Sequence, residues 1–189
     1  GSRTVDPFRP QIQPNGFISE EELVADREVH FSAIRDAVET MDVFVFTLGL
    51  TECWEDKRDG MIYPLAPGVA GGQYDTDLVQ FRNFDEIETA DDLRAALNFI
   101  RDRNPTVRII LTVSPVPLNA TMENRHVFVS TTWSKAVLRL AAEKLCQELE
   151  TCCYFPSYEI ITSPHVRGNY FGADCREVLP QGVDHVMRL

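Results

Sequence analysis

The stretch Val43-Phe44-Val45-Phe46-Thr47-Leu48-Gly49-Leu50-Thr51-Glu52-Cys53-Trp54 decides the fold. Its first six residues are apolar, aromatic or β-branched without polar alternation, the pattern of a strand buried on both faces in a parallel sheet. A glycine and a polar cluster follow at once, where the chain must turn. Upstream, Ser19 and Glu22 make a capping box, and Phe31, Ile34, Val38 and Met41 recur at three- and four-residue steps. This spacing predicts an amphipathic helix over about residues 20–40 that feeds the strand.

The same unit recurs twice. Thr89 with Asp92 opens a helix whose Leu93, Ala96, Leu97 and Ile100 share a face, Asn104-Pro105 stops it, and residues 107–113 follow as a strand. A third helix begins near Thr131 or Thr132, places Trp133, Val137, Leu140 and Ala141 on one face, and reaches a strand at residues 152–155. Three helix-to-strand units specify an α/β fold with a parallel sheet. Residues 1–18, with Pro7, Pro10, Pro14 and Asn15-Gly16, read as a proline-containing N-terminal arm on the surface, and residues 19–189 as a single domain. Residues 49–88, with Gly60, Pro64, Pro67, Gly68, Gly71 and Gly72, read as a structureless lid or binding loop. A three-stranded sheet leaves an edge free, which allows a homodimer.

Composition narrows the function classes. The chain has 189 residues, 44% hydrophobic and 25% charged, the balance of one soluble globular domain. Lys plus Arg number 18 against 29 Asp plus Glu, a net charge of −11 that repels a phosphate backbone and disfavours a general nucleic-acid binder. No stretch approaches the roughly 18 apolar residues of a membrane span, and no secretory signal pattern opens the chain. Gly1-Ser2 without a methionine reads as a cloning scar. The five cysteines are odd in number, with no C-x-x-C pair and no histidine at zinc spacing, so they read as reduced, mostly buried small hydrophobes of a cytoplasmic protein, and no metal or cofactor is implied.

In a parallel sheet, ligands bind beyond the carboxyl ends of the strands. All three ends are polar here. The first carries Gly49, Thr51, Glu52, Cys53 and Trp54; the second reads Thr112-Val113-Ser114-Pro115-Val116-Pro117-Leu118; the third reads Tyr154-Phe155-Pro156-Ser157-Tyr158-Glu159. Each residue has a plain alternative. Glu52 is otherwise a solvated carboxylate, Ser114 a bond to its own proline turn, and Tyr158 and Glu159 a packed helix start. Cys53 has no basic neighbour to depress its pKa. His126, His165 and His185 are the acid/base candidates, while His30 lies beside the first helix's apolar stripe.

Taken together, Thr47-Leu48-Gly49-Leu50-Thr51-Glu52-Cys53-Trp54, Thr112-Val113-Ser114-Pro115-Val116-Pro117-Leu118, Thr131-Thr132-Trp133-Ser134-Lys135-Ala136 and Tyr154-Phe155-Pro156-Ser157-Tyr158-Glu159 resemble, in order, the blocks of the GSCFA family. The resemblance runs from Asp6-Pro7-Phe8-Arg9-Pro10 to Gly182-Val183-Asp184-His185-Val186-Met187. That family is related to the SGNH or GDSL-type hydrolases. The resemblance implies a flavodoxin-like three-layer α/β/α sandwich and acyl-ester chemistry with a serine nucleophile. It implies that Gly49 supplies an oxyanion-hole N–H and that Thr51 or Glu52 replaces the usual asparagine. An ionised carboxylate only accepts, so Glu52 would orient another group. Trp54, Ser134, Lys135, Tyr158 and Glu159 fall within the matching blocks and are candidate substrate-binding residues.

Two departures matter. The family's Gly-Ser-Cys-Phe-Ala motif, whose serine is the presumed nucleophile, has no counterpart, since Gly1-Ser2 is followed by Arg3-Thr4. The Asp-x-x-His of SGNH enzymes is also missing: the nearest block is Asp174-Cys175-Arg176-Glu177, with glutamate in place of histidine. The expectation is the C-terminal portion of a GSCFA-type domain lacking its first strand, three strands standing where the resembled fold has about five. Its expected activity is that of an ester hydrolase or O-acyltransferase acting on a small-molecule or glycan acyl ester, with His185 or His126 as base. Ser114 as an in-chain nucleophile is a weaker option, and a binding or scaffold protein without a triad is the rival reading.

Overall fold

The computed structural model describes residues 3–6, 8, 9, 11–13, 15–69 and 74–189. Gly1-Ser2, Pro7, Pro10, Pro14, Gly71 and Gly72, named above, lie outside these. The chain divides into two compact units, Gly1–Thr40 with Glu52–Phe84, and Met41–Thr51 with Asp85–Leu189. No helix among the described residues is long and apolar enough to cross a membrane.

The larger unit holds the parallel sheet. Strands β1 (Val43–Leu48), β5 (Arg108–Val113) and β6 (Cys152–Tyr154) lie in the order β1-β5-β6, all parallel, with Leu48 opposite Val113 and Leu111 opposite Tyr154. Helices α2 (Glu86–Arg103), α3 (Val127–Glu148), α4 (Ser157–Thr162) and α5 (Pro180–Val186) complete it. The result is a mixed α/β architecture with helices flanking a parallel sheet, consistent with the three-layer α/β/α expectation. Leu48, Ile109, Leu111 and Val113 pack with Leu93 and Leu97 of α2 and with Leu138, Ala141, Ala142 and Leu145 of α3 in one cluster. Side chains alternate across a strand, so Val45 and Cys153 fall on the other face, where both are exposed.

Two helices begin upstream of their expected starts, because their caps are Asp85 and His126. Helix α2 starts earlier than Thr89: Asp85 accepts hydrogen bonds from the Ile87 and Glu88 backbone N–H groups, and the Glu88 carboxylate accepts from the Asp85 N–H. Asp85→Ala removes the acceptor half of this capping box and is expected to cost about 1 kcal/mol, read as a lower urea midpoint with an unchanged slope. Helix α3 likewise starts before Thr131, at Val127, because the His126 ring Nδ1 accepts from the Phe128 N–H and acts as N-cap. Its buried face is Ser130, Ser134, Val137, Leu138, Ala141, Ala142 and Leu145, whereas Trp133 and Leu140, expected inside, are exposed. On α2, Ala90 takes the buried place expected of Ala96.

The smaller unit corrects two expectations. Residues 49–88 are not a structureless loop: β2 (Glu52–Asp56), β3 (Ile62–Tyr63) and β4 (Val79–Asn83) form an antiparallel sheet in the order β3-β2-β4. Acidic residues in Glu52-Cys53-Trp54-Glu55-Asp56 hid the strand, and pairing reveals why they are there. Glu55 accepts from Gln80 and Arg82 at 2.7 and 2.6 Å, and Asp56 from Arg58 and Tyr63, each at 2.7 Å at its Oδ2. The N-terminal segment is not confined to the surface either. Phe17 is buried and bridges Thr4, and Asp6 is buried on salt bridges to Arg9 and to Arg27 of α1 (Glu20–Thr40). Helix α1 has the expected bounds, but Phe31 and Ile34 of its apolar stripe are exposed and only Leu23 is buried.

Candidate functional site

Parallel pairing brings the carboxyl ends of β1, β5 and β6 to one edge of the larger unit. The Ser114 N–H donates to the Leu48 carbonyl and the Ser157 hydroxyl to the Val113 carbonyl, which ties the three ends together. Ser157 also shares a short hydrogen bond with the Thr112 hydroxyl. In the sequence the pair is marked by position alone, Thr112 in the second polar block and Ser157 in the third.

The best-defined part of this edge is the turn after β1. Ser134 and Lys135, consecutive on α3, hold its two ends: the Ser134 Oγ accepts from the Thr51 N–H at 2.9 Å, and the Lys135 Nζ donates to the Gly49 carbonyl at 2.8 Å. Thr51, Ser134 and Lys135 are all buried. Burial disfavours the charged ammonium and lowers the Lys135 pKa from its ordinary 10.5 to about 8. Gly49 itself is exposed, has no positive φ, and a Cβ there would meet nothing within 4 Å. Nothing in the packing of the described residues requires glycine at this position.

The other candidates are placed as follows. The Ser114 Oγ accepts from the Val116 N–H at 3.2 Å, the proline-turn role weighed above. Glu159 accepts from the Tyr154 hydroxyl at 3.0 and 2.9 Å and pairs with Arg139, whose guanidinium stacks over the Tyr154 ring. Burial, and then this carboxylate, push the Tyr154 phenol above its ordinary range. Tyr158 packs against the core cluster. Asp174 turns back on its own chain and accepts from the Arg176 and Glu177 N–H groups, each at 3.0 Å, bonds that hold its carboxyl below the usual range. Arg176, unmarked by any periodicity or motif spacing, reaches the Pro117 carbonyl at 3.3 Å and fastens the Asp174 turn to the loop after β5.

The histidines do not meet a nucleophile. His126 is an exposed N-cap, His185 is exposed with its Nδ1 2.7 Å from the Tyr170 hydroxyl, and His165 lies exposed in a short 3-10 turn, Pro164–Val166. Among the described residues, no histidine ring hydrogen-bonds a serine hydroxyl. Glu52 and Trp54 stand on β2 of the smaller unit, where Glu52 pairs with Asn83 across the sheet and Trp54 packs edge-on against Tyr74 and Phe81.

A parallel α/β unit with hydroxyl, glycine and carboxylate groups beyond adjacent strand ends makes this an α/β protein whose candidate site lies at that edge. Its relatives can be stated more narrowly. The chain belongs to the GSCFA family, whose model matches residues 4–189. No curated protein matches the chain.

Proposed function

We propose that this chain is part of an SGNH-like ester hydrolase or O-acyltransferase, acting on an acyl ester of a small molecule or glycan in the cytoplasm, and that the attacking serine is not among its described residues. In this reading the serine forms a tetrahedral intermediate with the ester carbonyl, and the Gly49 N–H donates to the oxyanion. Lys135 and Ser134 keep that donor in place without touching the ester. His185 takes the proton at Nε2 while its Nδ1–H donates to the Tyr170 hydroxyl, and His126 does the same only once its Nδ1 has released the Phe128 N–H and carries the ring proton.

The observation that carries the reading is Gly49. A glycine whose absent side chain leaves open space, on a turn pinned from beneath by two buried side chains, supports a role in approach by a ligand rather than in packing. The native gene product should label with a fluorophosphonate and hydrolyse p-nitrophenyl acetate. Gly49→Val should lower turnover about 10²-fold by displacing the ester, while stability changes by less than about 0.5 kcal/mol. Unchanged turnover in Gly49→Val would remove the proposed oxyanion role.

Glu177, standing where the resembled motif has histidine, favours a second reading: a GSCFA-type fold that binds an acylated ligand without turnover. Absence of both labelling and hydrolysis, with retained ligand binding that Gly49→Val abolishes, would select it.

A further inference from the structure

At the opposite end of the sheet, the Cys146 and Cys152 sulfurs lie 3.6 Å apart. Cys146 is on the last turns of α3 and Cys152 is the first residue of β6. All five cysteines are free thiols. A disulfide needs its sulfurs at about 2.05 Å, so this pair is roughly 1.5 Å from bonding across the short connection between helix and strand. A cleft of about 310 Å³ opens beside the start of β6, lined by Cys152 and Cys153 together with Arg108, Ile109, Glu150 and Thr151, so that Cys152 borders it and Cys146 lies behind Cys152. Cys153 is exposed, but side chains alternate along a strand, so its sulfur points to the face of the sheet away from Cys146.

We propose that Cys146 and Cys152 are an oxidative modification site that closes to an intrachain disulfide when a peroxide enters this cleft. The Cys152 sulfur attacks the peroxide, the O–O bond breaks, and the products are Cys152 sulfenic acid and one water. The Cys146 sulfur then attacks the sulfenic sulfur, the S–O bond breaks, and the hydroxyl leaves with the Cys146 thiol proton as a second water. Two thiols are oxidised by two electrons and one hydrogen peroxide is reduced to two waters. Burial raises both thiols, Cys152 to about 12, so closure is slow beside that of a thiolate sensor and needs peroxide in excess. The tie joins the end of α3 to β6, beneath the strand that carries the third polar block.

The test treats the native full-length protein with excess hydrogen peroxide, alkylates it in denaturant, and measures intact mass before and after dithiothreitol. The expected product is a monomer that has lost two hydrogen atoms, alkylates at three of the five cysteines of this segment, and recovers all five of them on reduction. Cleavage after Glu148 and Glu150 should yield one linked pair, Cys146 on one peptide and Cys152 with Cys153 on the other. Cys153→Ser should retain the link and Cys146→Ser should abolish it. Alkylation at all five positions, a link that Cys153→Ser removes, or a product found only between molecules would each overturn the proposal. The peptide map of the unsubstituted chain decides the matter even where a cysteine variant folds poorly.

Discussion

Lys135→Met is expected to separate stability from placement of the turn after β1. The buried ammonium has its pKa lowered to about 8. Between pH 8 and 10.5 the unfolded chain therefore holds a proton that the folded chain has released. Stability from this group rises with pH across that window, by about 3 kcal/mol in all, and below pH 8 the buried charge opposes folding by the same amount. Methionine has a similar length and no charge, so the variant should lose the rise and, at pH 7, be about 1 kcal/mol more stable. Cys146, Cys152 and Tyr154, all raised by burial, act in the opposite direction at high pH. The quantity to measure is therefore the difference in urea-derived stability between variant and parent at pH 7, 9 and 10.5. The same variant frees the Gly49 carbonyl, so exchange at the Thr51 amide should speed up and any ester turnover should fall. A parallel pair of stability curves would show that Lys135 is not desolvated in the folded chain.

Asp6→Ala is expected to destabilise the smaller unit by about 3 kcal/mol. The Asp6 carboxylate is buried and accepts from the Phe8 N–H, the Arg9 Nε and two nitrogens of Arg27, at 2.6 to 3.0 Å. The Arg27 guanidinium above all holds its carboxyl well below the usual range, against the opposing effect of burial. Removing it leaves two guanidinium groups short of an acceptor, of which Arg9 keeps only Asp26 among the described residues. Loss of one member of a buried pair costs about 3–5 kcal/mol, and the lower end applies because Arg27 is 29% exposed. A depressed folded pKa means that this stability is present above about pH 4 and lost as pH falls further. Trp54 reports on the smaller unit, so urea melts followed by its fluorescence in a Trp133→Phe background measure the effect. A loss below about 1 kcal/mol would show that the salt bridges are solvated.

Some of the site was legible in advance and some was not. Gly49 and Thr51 stand out because small and polar residues directly after an apolar strand mark a turn, and Ser134 and Lys135 because their block accompanies that turn in the family; the strand itself is buried only at Leu48, not on both faces as its composition suggests. Their shared task was hidden, since the bonds cross more than 80 residues of chain. Ser114 and His126 were visible as polar groups beyond a strand, but local geometry gives one to a proline turn and the other to a helix start. Arg176 was not visible, because a cation inside a polar loop has no periodicity to betray its partner.

The sequence by itself determined the three strands, their parallel arrangement, the helices between them and the edge at which polar groups collect. Those features follow from residue spacing and from the handed geometry of the backbone, both local. Tertiary structure alone decided that the acidic segment after Thr51 is a strand, since its carboxylates are satisfied by Tyr63, Gln80 and Arg82 across a sheet. It alone decided that Lys135 is buried beneath Gly49 and that Cys146 meets Cys152. Such contacts depend on where distant side chains end once the core has closed, and periodicity carries no record of that.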